Sequence, residues 1–347
     1  MSERGRLAEL AGRWRADLSG WGIPEEIAAR APADPWAHSP ARFAERTERA
    51  LAEPYGPTQE RLAEALPPGG TVLDVGAGTG AASLPLARPR HAPDTDGAAG
   101  GGAGADADGA AGGGADADAG AAGGGAVAGG LGALVAVDTS AAMLAELESR
   151  ARALDVPVRT FLGRWPDVAG QVPVADVAVA AHVVYNVPDL AGFLTGLTRH
   201  ARRRVVLELT HRHPMSWLNP LWAHFHGLIR PERPTAEDVE ALARELGYGV
   251  RRQERQAPLP RFTSLEQLAE SACRRLCLEP GRAEEVVAAA VELGMWPVLR
   301  DRWVTLWWDT GADRDTGADR GTGAGRGTGA DRDTGTGAGG GAGGGEG

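Results

Sequence analysis

Five short apolar runs in the sequence have the length and composition of buried strands. They are TVLDVG (71–76), LGALVAVD (131–138), VPVRTFLG (156–163), VADVAVAAH (174–182) and RVVLEL (204–209). Apart from Asp176 and the final His182, the fourth is apolar, as expected of a strand covered on both faces. Segments with helical spacing of apolar residues, such as AAMLAELESRARAL (141–154), separate the runs. This alternation predicts an α/β fold with a parallel, doubly wound sheet.

Further elements are predicted on either side of these five strands. YGVRRQERQ (248–256) and RWVTLWWD (302–309) are candidates for a sixth and a seventh strand, and AASLPLA (81–87) begins a helix after the first strand. Helical pieces before the first strand predict an N-terminal helical cap. The sequence thus predicts a cap (1–66), a sheet domain (67–309) that contains a helical insertion (262–298), and a tail (310–347).

Two low-complexity segments contribute little to any core. Residues 91–130 consist almost wholly of Gly, Ala and Asp, and residues 310–347 repeat TGADRD-like units. Neither has apolar periodicity or enough side chain to offset the entropy of ordering the chain. We therefore expect both segments to be disordered, the first as an insertion within the sheet domain and the second as a tail.

Most of the net charge of −10 lies in these two segments. Residues 91–130 carry six Asp and no Arg, and residues 310–347 carry a net −2, which leaves −2 for the remainder. A nearly neutral body predicts no nucleic-acid or membrane partner, and the basic run RHARRR (199–204) is expected to be a solvated helix end. The charged N-terminus and the absence of a long apolar run predict a cytoplasmic protein.

The candidate chemistry begins at VLDVGAGTG (72–80), where a strand runs into a glycine turn. Such a turn lets backbone N–H groups approach a ligand at a helix N-terminus, and Asp138 ends the second strand where an acid can accept both hydroxyls of a ribose. Gly80 and Asp138 are 58 residues apart, or 18 without the 40-residue insertion, close to the ~20 typical of a ribose-binding acid. Asp74 would repel a pyrophosphate but attract a cationic ligand, which favours S-adenosylmethionine over NAD.

These residues resemble the class I S-adenosylmethionine-dependent methyltransferases. VLDVGAGTG is similar to the cofactor loop of that family, VAVDTSAAML (135–144) to its ribose-binding segment, and VADVAVAAHVVYNVPDLAGFL (174–194) to the fourth strand and following helix of its small-molecule enzymes. The resemblance implies a Rossmann-like seven-stranded sheet, mostly parallel with an antiparallel last strand. It also implies that the cofactor is bound by residues along these loops, namely Asp74, Gly76, Ala77, Gly78, Gly80, Asp138, Thr139, Met143, Arg164, Trp165 and His182.

Two segments depart from the pattern of the family. Gly163, Arg164 and Trp165 stand where the family often has an acid that reaches the adenine, so that Trp165 either stacks on the adenine or belongs to the core. HVVYN (182–186) replaces the Asn-Pro-Pro-Tyr type of element, which argues against amino-methylating enzymes of DNA, glutamine or adenine.

The acceptor is expected beside the loops that follow the fourth and fifth strands. Five of the eight histidines fall there, and a neutral imidazole near pH 7 suits removal of a proton from a phenol or hydroxyl. The candidate catalytic residues are His182 first, then His211, with Tyr185 beside them. Trp217, Trp222 and Phe225 either line an aromatic acceptor pocket or pack a short helix. The H-x-H pairs lack the spacing of a zinc site, so no metal is predicted.

The sequence therefore predicts an enzyme that transfers a methyl group from S-adenosylmethionine to an O, N or C atom of a small molecule. Three alternatives stay open. One is an NAD- or NADP-dependent oxidoreductase, because Gly76, Gly78 and Ala81 also satisfy G-x-G-x-x-A. The others are an RNA or protein methyltransferase and a regulatory protein that binds the cofactor without catalysis.

Overall fold

The computed structural model describes residues 3–36, 40–88, 130–256 and 261–311. The insertion (91–130) and the tail (310–347), which we predicted to be disordered, lie outside the described residues except for residues 130, 310 and 311. The strands are β1 (Gly70–Val75), β2 (Leu131–Asp138), β3 (Val158–Leu162), β4 (Ala175–Ala181), β5 (Ala201–Thr210), β6 (Arg251–Arg255) and β7 (Trp303–Asp309). All seven predicted strands are thus present, with small shifts at their ends.

The strands form one seven-stranded sheet in the order β3-β2-β1-β4-β5-β7-β6. The pairs formed among β1 to β5 are parallel, whereas β7 lies between β5 and β6 and runs antiparallel to both. The fold class is confirmed, including the antiparallel last strand that the resemblance implied. β1 and β4 are adjacent, β2 and β3 continue the sheet on one side of them, and β5 continues it on the other. At such a reversal of strand order, the carboxyl ends of the strands border a crevice suited to a ligand.

The helices of the described residues lie on both faces of the sheet and in a smaller group beside it. They are α1 (Glu3–Ser19), α2 (Glu25–Ala28), α3 (Pro40–Ala52), α4 (Pro57–Ala65), α5 (Ala141–Ala153), α6 (Leu190–His200), α7 (Asn219–His226), α8 (Ala236–Glu245), α9 (Leu265–Arg275) and α10 (Ala283–Glu292). Helices α1, α6 and α8 cover one face, and α4 and α5 cover the other. Helices α7, α9 and α10 share a third apolar cluster. None of the helices described is long and apolar enough to cross a membrane.

Helix α1 is joined to the loop that follows β4 through Trp14. The apolar spacing of RLAELAGRWRADL predicts a helix with one buried face, and Trp14 on that face is 1% exposed. Its Nε1–H donates to the carbonyl oxygen of Val187 at 2.8 Å, and its ring stacks on Tyr185 at 6.0 Å. The N-terminal helix therefore helps to hold a loop at the ligand edge of the sheet.

Two local predictions were wrong. The helix expected from residue 81 is only a short 3-10 helix, Leu84–Ala87, because Pro85 restricts the backbone and supplies no N–H for a hydrogen bond. The run RHARRR is not wholly a solvated helix end: Arg204 lies in β5, is 9% exposed and pairs with Asp309 at 2.7 Å and with Glu64 at 2.9 Å. These ion pairs neutralise the charge of Arg204 within the protein, so Arg204 is not free to bind a partner molecule.

Candidate functional site

A cleft of about 1800 Å³ opens at the carboxyl ends of β1, β2, β4 and β5. The turns after these strands form its floor, while α3, the segment after β6 and the segment before β7 form much of its wall. Most of the predicted cofactor and catalytic residues border this cleft. Gly80 and His211 are not among its lining residues.

The turn after β1 has a backbone that requires glycine. Gly76, Gly78 and Gly80 have φ values of +70°, +53° and +91°, which residues with a Cβ atom rarely adopt. At Gly76 a Cβ atom would also lie 2.3 Å from Cγ2 of Val183. The glycines therefore allow both a tight turn and close packing between the loops that follow β1 and β4.

Asp138, at the end of β2, holds the glycine turn in place. Its Oδ2 accepts the backbone N–H of Gly78 at 2.8 Å, and its Oδ1 accepts the backbone N–H of Ser140 at 2.9 Å. An ionised carboxylate has about four acceptor positions, so two remain after these bonds. Asp138 is partly exposed on the cleft wall, where those positions can meet a pair of ligand hydroxyls.

Asp74, on β1, is a buried acid with one oxygen lacking a partner. Its side chain is 1% exposed, Oδ2 accepts the hydroxyl of Ser83 at 2.6 Å, and Oδ1 has no hydrogen bond among the described residues. Burial raises the pKa of Asp74 to about 7, the Ser83 hydrogen bond opposes the rise, and nearby Asp138 adds to it. This carboxyl is poised for a cationic partner that would restore its negative charge.

The other predicted cofactor residues follow β2 and β3. Thr139 lines the cleft, Met143 is buried beneath it, and the Ser140 hydroxyl caps α5 by accepting the N–H of Met143 at 3.3 Å. Arg164 lines the cleft as well. Trp165 belongs to the core: it is 5% exposed and donates its Nε1–H to the carbonyl oxygen of Phe193 at 3.3 Å, although part of it borders the cleft.

Helix α3, part of the predicted N-terminal cap, covers the glycine turn. The hydroxyl groups of Thr47 and Thr79 lie 2.7 Å apart, and both side chains are buried. Phe43, one turn earlier in the helix, lies over Gly78, where a Cβ atom would be 3.4 Å from its ring. The cleft is thus narrowed from above by an N-terminal helix.

His182 lies where β4 ends and is paired with a buried glutamate. Its φ is +59°, unusual for a residue other than glycine, and its backbone N–H donates to the carbonyl oxygen of Glu208 at 2.6 Å. Nε2 of the ring lies 2.8 Å from Oε1 of Glu208, at ion-pair distance although not in hydrogen-bond geometry. Since a lone pair would repel that carboxylate, Nε2 carries the proton and Nδ1 is the basic atom of the neutral ring.

The charge state of this pair is set by its surroundings. Burial and the guanidinium of Arg46 lower the pKa of His182, while Glu208 opposes them. Burial alone would raise the pKa of Glu208, but its contacts with His182, Arg46 and Thr58 lower that pKa to about 2. At neutral pH the site therefore holds an ionised glutamate beside a neutral histidine.

Tyr185 and the later histidines have structural partners. The Tyr185 hydroxyl donates to the carbonyl oxygens of Thr210 and His211 at 2.8 and 3.1 Å, and burial raises its pKa well above 10. The ring of His211 faces Glu237, with Nδ1 3.3 Å from Oε1. His213 stacks on Trp21 at 3.9 Å and its Nδ1 accepts the N–H of Met215. His182 is therefore the sequence-predicted histidine whose pairing and position both suit proton transfer in the cleft.

Glu208 is a functional candidate that the sequence interpretation missed. Glu208 interrupts the apolar residues of the fifth strand, and that departure from the pattern is the available signal. Its Oε2 accepts the Thr58 hydroxyl at 2.6 Å and its Oε1 accepts from Arg46 at 3.3 Å, while Arg255 lies 4.0 Å away. These partners come from distant parts of the chain, which no local pattern reveals.

The fold places two of the aromatic candidates in different surroundings. Trp217 lines the cleft, whereas Trp222 is buried in the cluster shared by α7, α9 and α10. Within the described ranges no three His, Cys, Asp or Glu side chains are grouped so as to hold a metal ion.

Comparisons with known proteins find similar structures but no matching sequence family. No protein-family model matches the chain, and no curated protein matches it. Among solved structures, YcgJ from Bacillus subtilis is 13% identical, with a TM-score of 0.44 over 74% of this chain and 98% of its own.

Two further solved structures have a similar degree of likeness to this chain. The cyclopropane-fatty-acyl-phospholipid synthase-like protein from Lactobacillus casei is 13% identical, with a TM-score of 0.45 over 82% of this chain and 98% of its own. Magnesium protoporphyrin IX methyltransferase from Synechocystis, solved with bound SAH, is 15% identical, with a TM-score of 0.39 over 64% and 80%. At these values the similarity assigns no function to this chain, and the case for one depends on the geometry of the cleft.

Replacing Glu208 tests the charge network beneath the cleft. We expect Glu208→Gln to lower the free energy of unfolding in urea at pH 7 by about 2–3 kcal/mol, because Arg46 and Arg255 lose their shared carboxylate. The depressed pKa of Glu208 stabilises the fold above pH 4.5, and this contribution is lost as pH falls towards 2. The difference between variant and wild type should therefore shrink in acid.

Glu254→Gln is the matched control, since Glu254 is a more exposed glutamate that also pairs with arginines, Arg252 and Arg302. Its effect should stay below about 1 kcal/mol. Equal losses in the two variants, or a Glu208→Gln loss that does not depend on pH, would contradict the assignment.

Proposed function

We propose that this protein is an S-adenosylmethionine-dependent methyltransferase that acts on a small molecule. The observation that carries the proposal is the placement of two carboxylates around the glycine turn. Asp138 has free acceptor positions on the cleft wall, and Asp74 is a buried acid whose Oδ1 lacks a partner. A ligand with a ribose at one end and a cationic amino-acid part at the other complements both.

The residues of the cleft fit this cofactor in three respects. Asp138 can accept two ribose hydroxyls without giving up its bonds to Gly78 and Ser140. Thr139 and Met143 follow Asp138 along the wall, where an adenine would lie. Asp74 provides a negative charge for an ammonium, directly or through water. When bound, S-adenosylmethionine supplies a sulfonium methyl group as the electrophile.

The alternative of a dinucleotide-dependent oxidoreductase is disfavoured by two features. Sheets that bind dinucleotides commonly have the strand order 3-2-1-4-5-6, whereas here an antiparallel β7 lies between β5 and β6. A pyrophosphate at the glycine turn would also lie close to Asp74 and Asp138. Asp138 already raises the pKa of Asp74 through repulsion between the two carboxylates. Both acids would therefore repel the pyrophosphate as well.

Within the proposed reaction, His182 is the residue that removes a proton from the acceptor. Nε2 faces Glu208, so the basic Nδ1 is available to a hydroxyl or phenol placed in the cleft. Glu208 fixes the tautomer and stabilises the imidazolium once it forms. Tyr185 positions the loops through its bonds to the carbonyl oxygens of Thr210 and His211, and His211 has no direct part in our account.

A small molecule is favoured over RNA or protein as the acceptor. Phe43 on α3 lies over the glycine turn, and Trp303 lies 5.1 Å from the ring of His182. These side chains narrow the approach to His182, and exclusion of water by such walls helps to position and desolvate a small nucleophile. The near-neutral charge of the chain outside its low-complexity segments gives no general attraction for RNA.

Asp138 gives a direct test of cofactor binding. We expect Asp138→Ala to weaken binding of S-adenosylhomocysteine at least about tenfold by calorimetry, because it removes the ribose acceptors and releases the glycine turn. Asp176→Ala is the control: Asp176 accepts the backbone N–H of Thr71 at 2.8 Å at the opposite end of the strands. It should bind within about twofold of wild type. Unchanged affinity in Asp138→Ala would refute the role of Asp138.

Asp74 predicts a proton signature that distinguishes a cationic ligand from a dinucleotide. With a pKa of about 7 it is largely protonated at pH 6.5, and an ammonium nearby lowers that pKa. Binding of S-adenosylhomocysteine should then release roughly half a proton or more, measured by calorimetry in buffers of different ionisation enthalpy. Asp74→Asn should abolish the release. Proton uptake on binding NAD, with no binding of S-adenosylhomocysteine, would favour the oxidoreductase.

A further inference from the structure

Beyond His182, the cleft wall is rich in arginine. The arginines on this side of the cleft are Arg46, Arg49, Arg255, Arg261, Arg275 and Arg300. They come from α3, from the end of β6 and the segment after it, from the end of α9 and from the segment before β7. The fold thus gathers positive charge from four parts of the chain at one end of the cleft.

Only some of these charges are balanced within the protein. Arg46 and Arg255 share the carboxylate of Glu208. By contrast, Arg261 and Arg300 form no ion pair with any residue that the structure describes, although both are partly shielded from solvent. Nearby Arg302 is different, since it pairs with Glu254 at 2.9 Å. The uncompensated charge is therefore local to Arg261 and Arg300.

These unpaired guanidinium groups repel one another and their neighbours. Burial, then Arg300 and Arg275, lower the pKa of Arg261 to about 9. Burial, then Arg46 and Arg49, lower that of Arg300. Both remain protonated at neutral pH, and each lowered pKa means that the protein carries the charge at a cost to its own stability. A bound anion would remove that cost.

Aromatic side chains line the cleft both beside the arginines and beside His182. Arg261 lies over the ring of Trp217 at 5.2 Å, and Trp217 meets Phe262 edge to face at 4.9 Å. Arg255 lies over Trp303 at 4.3 Å, and Trp303 is 5.1 Å from the ring of His182. A molecule with a flat apolar body could contact these rings while its two ends meet His182 and the arginines.

We infer that the methyl acceptor carries an oxyanion, a carboxylate or a phosphate monoester, which Arg261 and Arg300 bind while the nucleophilic atom lies near His182. This inference rests on the proposed function for the nature of the reaction, but the anion site itself stands on the arginines and the cleft. The guanidinium fork matches both kinds of oxyanion. The acidic residues at the glycine turn would reject the same group from the other end of the cleft.

The test uses benzoate and phenyl phosphate as anionic probes and benzamide as a neutral probe of similar shape. Their binding to the full-length protein is measured by calorimetry, with and without saturating S-adenosylhomocysteine. We expect at least one anion to bind about tenfold more tightly than benzamide or better, with an affinity that falls as salt is raised. The probe that binds identifies a carboxylate or a phosphate as the preferred group.

The variant Arg261→Gln/Arg300→Gln should weaken anion binding about tenfold or more while leaving benzamide and S-adenosylhomocysteine within about twofold of wild type. Arg203→Gln is the matched control, because Arg203 is exposed at the amino end of β5, away from the cleft. The double variant should also have a Tm no lower than that of wild type, since it relieves repulsion. This separates a binding defect from misfolding.

Three results would overturn the inference. They are equal affinity for the anions and benzamide, equal anion affinity in wild type and the double variant, and tight binding of polyuridylate that the double variant abolishes, which would indicate RNA instead. Failure of wild-type protein to bind S-adenosylhomocysteine would refute the proposed function separately, because the anion measurements are also made without it.

Discussion

The hydrogen bonds that Asp138 accepts are the constraint on which the cofactor side of the cleft depends. One carboxylate takes the N–H of Gly78 from the turn after β1 and the N–H of Ser140 from the start of α5. The parallel pairing of β1 with β2 brings the two turns to the same edge, and the carboxylate then fixes their separation. A ligand that bridges these turns meets groups already in position, which reduces the ordering cost of binding.

The cleft is electrostatically polarised along its length. Asp74 and Asp138 make the glycine end acidic, while Arg261 and Arg300 leave the other end basic. Between them Glu208, paired with Arg46 and His182, separates the two regions. A cationic methyl donor would be attracted to the acidic end, and an anionic acceptor would be attracted to the basic end. The charges of the protein would thus orient both ligands before the reacting atoms meet.

The sequence predicted the features that depend on local patterns. Apolar runs located the first five strands, and the spacing of Asp74, the glycines and Asp138 placed them together because consecutive parallel strands end at one edge. Features that depend on long-range contacts escaped prediction. Glu208 meets Thr58 and Arg46 across about 150 residues of chain. Arg261 and Arg300 come near each other only because the chain returns to the cleft after α9 and α10, where the N–H of Arg261 donates to the carbonyl oxygen of Val298 at 2.8 Å. Tyr185 lines the cleft, but its hydroxyl is bonded to backbone carbonyl groups at and just after the end of β5, which no local pattern predicts.

The most direct test of the central claim is a crystal structure of the full-length protein with S-adenosylhomocysteine. Our account predicts ribose hydroxyls about 2.6–3.0 Å from the carboxylate oxygens of Asp138, the adenine along Thr139 and Met143, and the amino-acid part on the side of Asp74. A ligand bound elsewhere, or a ribose that leaves Asp138 without a new partner, would contradict it.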